Sequence, residues 1–321
     1  MSLDSTDMTD VVVLGIPTAL GGHLAGMERA PAGLRALGLL DALRGRPRLA
    51  DARFVDAGDL VIAPGFREDP DRRAKNRALI AEFLPRERDL VADLLADEGP
   101  ETRLLVVGGD CTAHAGALAG LRRIRPDDRF AIAWFDAHGD FNTPDTTPSG
   151  NVWGMPFAML CGIGDHDLVR ACSGPTVFAH DAALVGGQVL DEHESRMLAS
   201  RGVAQFGSGM LGTAAGMAAL AAWARTIAEA VDGLYIAIDM DVLDAEGGWA
   251  VQMPEPNGLP LEVVVAAVEA LAAGGAPVIG FGATGVNLGN GDGAVTRDAI
   301  AQLAEAALGG RYGPTRTSAS A

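Results

Sequence analysis

Cys111, Cys161 and Cys172 are the only cysteines in 321 residues, too few for a disulfide framework and without the paired spacing that clasps a structural zinc. A reducing compartment, the cytoplasm, is the expectation. Aromatic residues make up only 5% of the chain, which argues against an aromatic-rich sandwich. Basic residues are in the minority, 25 against 42 acidic ones, for a formal charge of −17. Nucleic acid is therefore not an expected partner, because such binding needs Lys and Arg at the phosphates. Long apolar runs are missing as well: nothing approaches the roughly 20 residues that span a bilayer, so no membrane is expected. The opening MSLDSTDMTD is acidic and polar, without the basic and apolar regions of a secretory signal.

What remains is an Ala- and Gly-rich chain with 48% hydrophobic residues, long enough to bury a sizeable core. Short β-branched runs alternate with Ala- and Leu-rich stretches, the pattern of parallel strands joined by crossover helices. The strand-like runs lie near residues 10–15, 52–56, 102–107, 130–136, 182–186, 203–207, 234–240 and 276–282. No linker or fixed-period repeat divides them. The reading is a single α/β domain over residues 10–310, between a flexible N-terminus at 1–9 and a flexible tail at 311–321.

Three of these runs end directly in polar residues, where ligands bind in an open parallel sheet. In Trp134-Phe-Asp-Ala-His-Gly-Asp-Phe-Asn142, residues Asp136, His138 and Asp140 alternate, so an extended chain turns them to one side. Asp239 and Asp241 in Ile236-Ala-Ile-Asp-Met-Asp-Val-Leu-Asp244 repeat the arrangement, with Asp244 a turn or cap residue. Charges leaving an apolar strand are costly to bury unpaired, and a cation resolves that cost. Oxygen-rich ligands with one imidazole suit Mn²⁺ or a similar divalent ion better than a structural zinc. The third segment, Val106-Val-Gly-Gly-Asp-Cys-Thr-Ala-His114, is a strand entering a Gly turn and then a helix, on which His114 reads as a satisfied helical histidine.

GGDCT, DAHGDFN and AIDMDVLD, in this order, resemble the three signatures of the ureohydrolases: arginase, agmatinase, formiminoglutamase and their relatives. GMERAPAGLRALGL, VDAGDL and TTPSGN extend the resemblance over most of the chain. It implies the arginase/deacetylase fold, a three-layer α/β/α architecture around an eight-stranded parallel sheet. It also implies two divalent metal ions, manganese in the family, that activate water. Matching motif to motif, Asp136 and Asp239 bridge both ions, Asp140 and Cys111 belong to the first, and His138 and Asp241 to the second. Asp140 is the implied proton carrier, so Asp136, Asp140 and Asp239 form the catalytic set. Asn142, Thr147, Ser149 and Asn151 fall where relatives hold a substrate α-carboxylate, and Asp191 and Glu194 where they hold its α-ammonium. The implied partner is a small amino-acid-like molecule, and the implied assembly a homo-oligomer, trimer or hexamer.

Three positions depart from the family pattern. Cys111 stands where His is usual; a thiolate is a softer ligand, which shifts the first site toward Zn²⁺, Co²⁺ or Fe²⁺. Trp153 replaces a His that relatives use to move protons, and it can pack on a planar substrate group. Gly285 replaces a Glu that pairs with guanidinium, and Gly282 an Asp, so L-arginine itself loses its partner. The expected function is metal-dependent hydrolysis of a C–N bond in a linear amidine: a guanidino, N-hydroxyguanidino or formimino group. Glu255 in the PEPNG loop is the fallback carboxylate if arginine is nevertheless preferred. Two alternatives stand beside this reading: a non-catalytic homologue serving as a metal-binding or oligomeric scaffold, and an amide or hydroxamate hydrolase.

Overall fold

The computed structural model describes residues 10–310 apart from residues 63 and 100. The termini expected to be flexible, 1–9 and 311–321, lie outside the described residues. Eight strands form one sheet: β1 (Asp10–Ile16), β2 (Arg53–Asp59), β3 (Arg103–Gly108), β4 (Phe130–Asp136), β5 (Val177–Gly186), β6 (Ala204–Gly207), β7 (Gly233–Asp239) and β8 (Val278–Thr284). Their spatial order is β2-β1-β3-β8-β7-β4-β5-β6, and every pairing is parallel.

Side-chain alternation explains why helices cover both faces. Val11, Val13, Leu105, Val107, Ala133 and Phe135 point to one side, where they meet the helices Leu261–Ala272 and Gly293–Leu308. Val12, Leu14, Leu104, Val106, Ile132 and Trp134 point to the other, against Arg77–Glu98 and Thr112–Ile124. At about 25 cal/mol per Å² of apolar surface, two such faces supply the main driving force for folding. Among the described residues, no helix is long and apolar enough to cross a membrane.

β5 starts at Val177, five residues before its expected beginning. Its first half, Val177-Phe-Ala-His-Asp181, alternates between buried and exposed positions and carries two polar residues, so it lacks the unbroken apolar signature of the strand's later part.

β3, β8, β7 and β4 are the four central strands and lie side by side. Their carboxyl ends therefore place the residues after Gly108, Thr284, Asp239 and Asp136 around one depression. This is where distant segments of sequence become one site.

Candidate metal centre

The acids converge, though by a different route from the extended alternation expected. β4 stops at Asp136, and the chain turns so sharply that Asp140 takes a left-handed backbone conformation, φ 48°. β7 stops at Asp239, whose carboxylate caps a short turn, Met240–Val242, by accepting the Asp241 N–H at 2.9 Å. Alternation ends where the strand ends, and backbone turns do the remaining work. Cys111 arrives from β3 at the N-cap of the helix Thr112–Ile124.

Ligand atoms of Cys111, Asp136 and Asp239 lie within 4.8 Å of one another, as do those of Asp136, His138 and Asp241. Asp136 belongs to both groups. The His138 Nδ1 lies 3.3 Å from Asp136 and 3.2 Å from Asp241, while Nε2 faces Glu255 at 3.4 Å. Glu255 thus sits behind the imidazole, the place of a carboxylate that orients a metal-binding histidine. Trp134 Nε1 donates to Asp136 Oδ2 at 3.0 Å, and the amides of His138 and Ala137 donate to Asp136 and Asp241 at 2.7 and 3.0 Å.

The electrostatics fit a bound cation. Burial, reinforced by the Asp136 charge, pushes Asp140 well above the carboxylate range and Asp239 up to about 6; burial with the charges of Asp239 and Asp136 raises Asp241 likewise. Burial disfavours a charged His138 too, but hydrogen bonds to Asp136 and Asp241 prevail and raise its pKa. One oxygen of Asp140 is buried with no hydrogen-bond partner among the described residues. The Cys111 thiol, raised by burial and then by Asp239, Asp140 and Asp136, donates to Asp239 Oδ2 at 2.8 Å. A cation would reverse both tendencies, ionising acids and thiol alike. Acceptors repelling one another around an unpartnered oxygen are chemically suited to divalent ions.

This cluster floors a cavity of about 320 Å³. Asn142, Thr147, Ser149, Asn151, Trp153, Asp191 and Glu194 all line it. Several of them already have partners in the protein. Asp191 and Glu194 form the capping box of the helix Glu192–Arg201, and Asn142 Nδ2 donates to both, at 3.1 and 3.3 Å. Burial raises Glu194 to about 7. The Thr147 hydroxyl accepts the amides of Ser149 and Gly150, which is turn chemistry. Trp153 packs over Gly22, where any Cβ would collide with the indole.

Sequence reasoning missed His23, Met27, Val189, Gln252 and Met253, all of which line the cavity. His23 Nδ1 lies 3.0 Å from the Asn151 amide nitrogen and its ring 5.6 Å from that of Trp153. None of the five belongs to a ligand motif, and only the approach of their loops identifies them. His114 lies outside the cavity as expected, fully buried between the Tyr235 and Thr284 hydroxyls at 3.2 and 3.1 Å. It occupies, with Tyr235, the space a side chain at Gly282 would need. Asp244 caps a short turn through the Glu246 amide, also as expected.

An eight-stranded parallel α/β/α sheet with carboxylates, imidazole and thiol gathered over its central strands defines a ureohydrolase-type hydrolase fold. The chain belongs to the arginase family, whose description matches residues 9–309. It is 31% identical over 272 residues to the arginase of Bacillus caldovelox, spanning 83% of this chain and 87% of that protein. The crystal structure of Bacillus caldovelox arginase superposes with a TM-score of 0.83 at 27% identity, covering 95% of this chain and 99% of the other. Formimidoylglutamase from Bacillus subtilis shares the fold at 19% identity, with a TM-score of 0.71 over 95% and 88% of the two chains.

Proposed function

We propose that the protein is a binuclear metal hydrolase that cleaves a C–N bond in a linear amidine of an amino-acid-like substrate whose reactive end is less basic than guanidinium. The observation that carries this reading is the cluster of Cys111, Asp136, His138, Asp140, Asp239 and Asp241 on the cavity floor, all but His138 buried. Asp136, which belongs to both ligand groups, and Asp239 would be shared by two ions, with Cys111 and Asp140 holding the first and His138 and Asp241 the second. Divalent cations held there would supply an acidified water and polarise the carbon to be attacked. Mn²⁺ is the family's ion, and the Cys111 thiolate draws the first position toward Zn²⁺, Co²⁺ or Fe²⁺.

Asp140 moves the proton. Its unpartnered oxygen would take a proton from the water as the C–O bond forms and give it to the nitrogen as the C–N bond then breaks. Ser149, Asn151, Asp191 and Glu194 hold the amino-acid end, with Asn142 and Thr147 fixing their positions. Trp153 forms a flat wall beside the reacting group. Gly285 offers no carboxylate, Glu255 is engaged with His138, and Asp191 and Glu194 serve the amino-acid end, so a cationic guanidinium lacks a dedicated acidic partner at the reactive end.

Turnover of L-arginine, Nω-hydroxy-L-arginine, agmatine and N-formimino-L-glutamate by protein loaded with Mn²⁺, Co²⁺ or Zn²⁺ tests the reading. Hydrolysis of at least one compound, lost in Asp140→Asn, is expected. A folded, metal-loaded protein that turns over none would favour the scaffold reading.

A further inference from the structure

We propose that Gln252 is a specificity-determining residue: its side-chain amide donates a hydrogen bond to an acceptor atom at the reactive end of the substrate. The site thereby selects an uncharged, acceptor-bearing group over a guanidinium cation. This inference rests on the amidine-hydrolase reading and narrows it.

The direction in which the amide points follows from a chain of bonds that starts at an unambiguous donor. The backbone N–H of Gly289 donates to Asn287 Oδ1 at 3.0 Å, which fixes the oxygen end of Asn287. Asn287 Nδ2 then donates to Gln252 Oε1 at 2.7 Å, with the Ala25 carbonyl a second acceptor at 3.4 Å. With its oxygen held there, Gln252 has its NH₂ group left over. That nitrogen has no hydrogen-bond partner among the described residues.

Its location brings it to the chemistry. The Gln252 backbone N–H donates to the Gly285 carbonyl at 2.8 Å, and Gly285 lies directly against the Asp239 carboxylate. An isolated antiparallel bridge between Val251 and Val286 holds the two segments together. Gln252 lines the cavity with Met253 and Gly285. Of the acids that line the cavity outside the metal cluster, Asp110 accepts the amides of Gly21 and Thr112, and Asp191 and Glu194 are assigned to the amino-acid end, so none is left for the reactive end.

A guanidinium carries only donors, so opposite Gln252 it would set N–H against N–H and leave both unpaired in a confined space. A ureido carbonyl, an N-hydroxy oxygen or the free nitrogen of a neutral amidine accepts the bond instead. A residue that merely fastened the Asn287 loop would need only its oxygen.

L-Citrulline and L-arginine make the comparison, since they match in length and differ by ureido against guanidinium. Calorimetric binding of each to the Mn²⁺-loaded full-length protein gives a ratio of dissociation constants. Gln252→Glu keeps the acceptor for Asn287 and replaces the free N–H with a carboxylate oxygen; it should move the ratio toward arginine by roughly ten- to a hundredfold. Gln252→Met, without a donor, should weaken citrulline about tenfold and leave arginine within twofold. A ratio that moves less than twofold in Gln252→Glu overturns the proposal, as does failure of the folded wild type to bind either compound. Turnover on the amidine panel is scored separately. A shifted ratio without hydrolysis sinks the hydrolase reading alone, and hydrolysis with an unshifted ratio sinks this inference alone.

Discussion

The two ends of the cavity solve opposite problems. At the floor, Asp136, Asp140, Asp239 and Asp241 are buried acceptors with too few donors, and one Asp140 oxygen has none. At the mouth, Asn142, Thr147, Asp191 and Glu194 satisfy one another and the backbone before any ligand arrives. The lesson is that electrostatic deficit, rather than polarity alone, marks the place where an external charge belongs. The floor needs a cation to be stable as an ionised set; the mouth is a rigid frame that loses little when empty.

The sharpest way to break this contrast is Asp239→Asn. If Asp239 serves both proposed cation positions, its carboxylate neutralises both and an amide does not, so metal retained after dialysis should fall by roughly a hundredfold or more, with hydrolysis lost. Unchanged metal content, measured by elemental analysis, would remove the bridging role.

Gly285→Glu separates absence from incompatibility. Gly285 has φ 74°, and any Cβ there overlaps the Asp239 carboxylate. The strain alone is about 1–3 kcal/mol for a residue with a side chain. Placing a glutamate at this position should therefore lower Tm and metal content together instead of conferring arginine turnover. Gain of arginine hydrolysis with metal intact would show that the loop adapts, and that only the carboxylate was missing.

A pH comparison sharpens the electrostatic half of the argument. Burial raises Asp239 to about 6 and Glu194 to about 7, and raises Asp140 and Asp241 well above 3.8. In each case the folded state holds its proton where the unfolded chain has lost it, so this stability is present at low pH and lost as pH rises through the folded values. His114 opposes them: burial lowers it to about 3, so protonation of the unfolded chain costs stability as pH falls below 6.5. Four acids outweigh one imidazole. Chelated protein should gain Tm between pH 7 and pH 5, whereas metal-loaded protein should lose it as protons compete for the ligands. Parallel curves by differential scanning fluorimetry would mean the acids are not charged partners of a cation.

The central strands were legible because they are buried on both faces and read as apolar runs; the first half of β5, with its polar alternation, and the half-exposed end of the edge strand β2, residues 57–59, escaped. The cluster was legible because acids placed directly after apolar strands are costly without a purpose. What the sequence hid was set by loops. Glu255 reaches His138, and Gln252 reaches Gly285, only because the segment after Asp244 folds back over the site. Gly285 read as a missing glutamate, yet its backbone and the nearby Asp239 make it a position with room for no side chain. Likewise, Asn142 read as a substrate contact on its motif, although both its amide donors are taken by Asp191 and Glu194.

The smallest expected effect lies at the mouth and separates contact from support. Among the described residues, the Asn151 amide is paired only with the exposed, cavity-lining His23, and its backbone N–H is held by the Ser149 hydroxyl at 3.2 Å. Its side chain is therefore available to a carboxylate at the cost of one weak exchange. Asn142 is not, since it also accepts the Thr146 hydroxyl at 3.0 Å. Asn151→Ala should raise KM about tenfold and leave kcat nearly unchanged, as loss of one charge-assisted bond made equally in ground and transition states requires. Asn142→Ala should act through Asp191 and Glu194 instead: KM rises by a similar or smaller factor, but Tm falls too, because the acids lose a shared donor. Steady-state kinetics beside thermal melts distinguishes the two. If Asn151→Ala lowers kcat as strongly as it raises KM, the mouth takes part in the chemistry, and the division between a reactive floor and a passive frame does not hold.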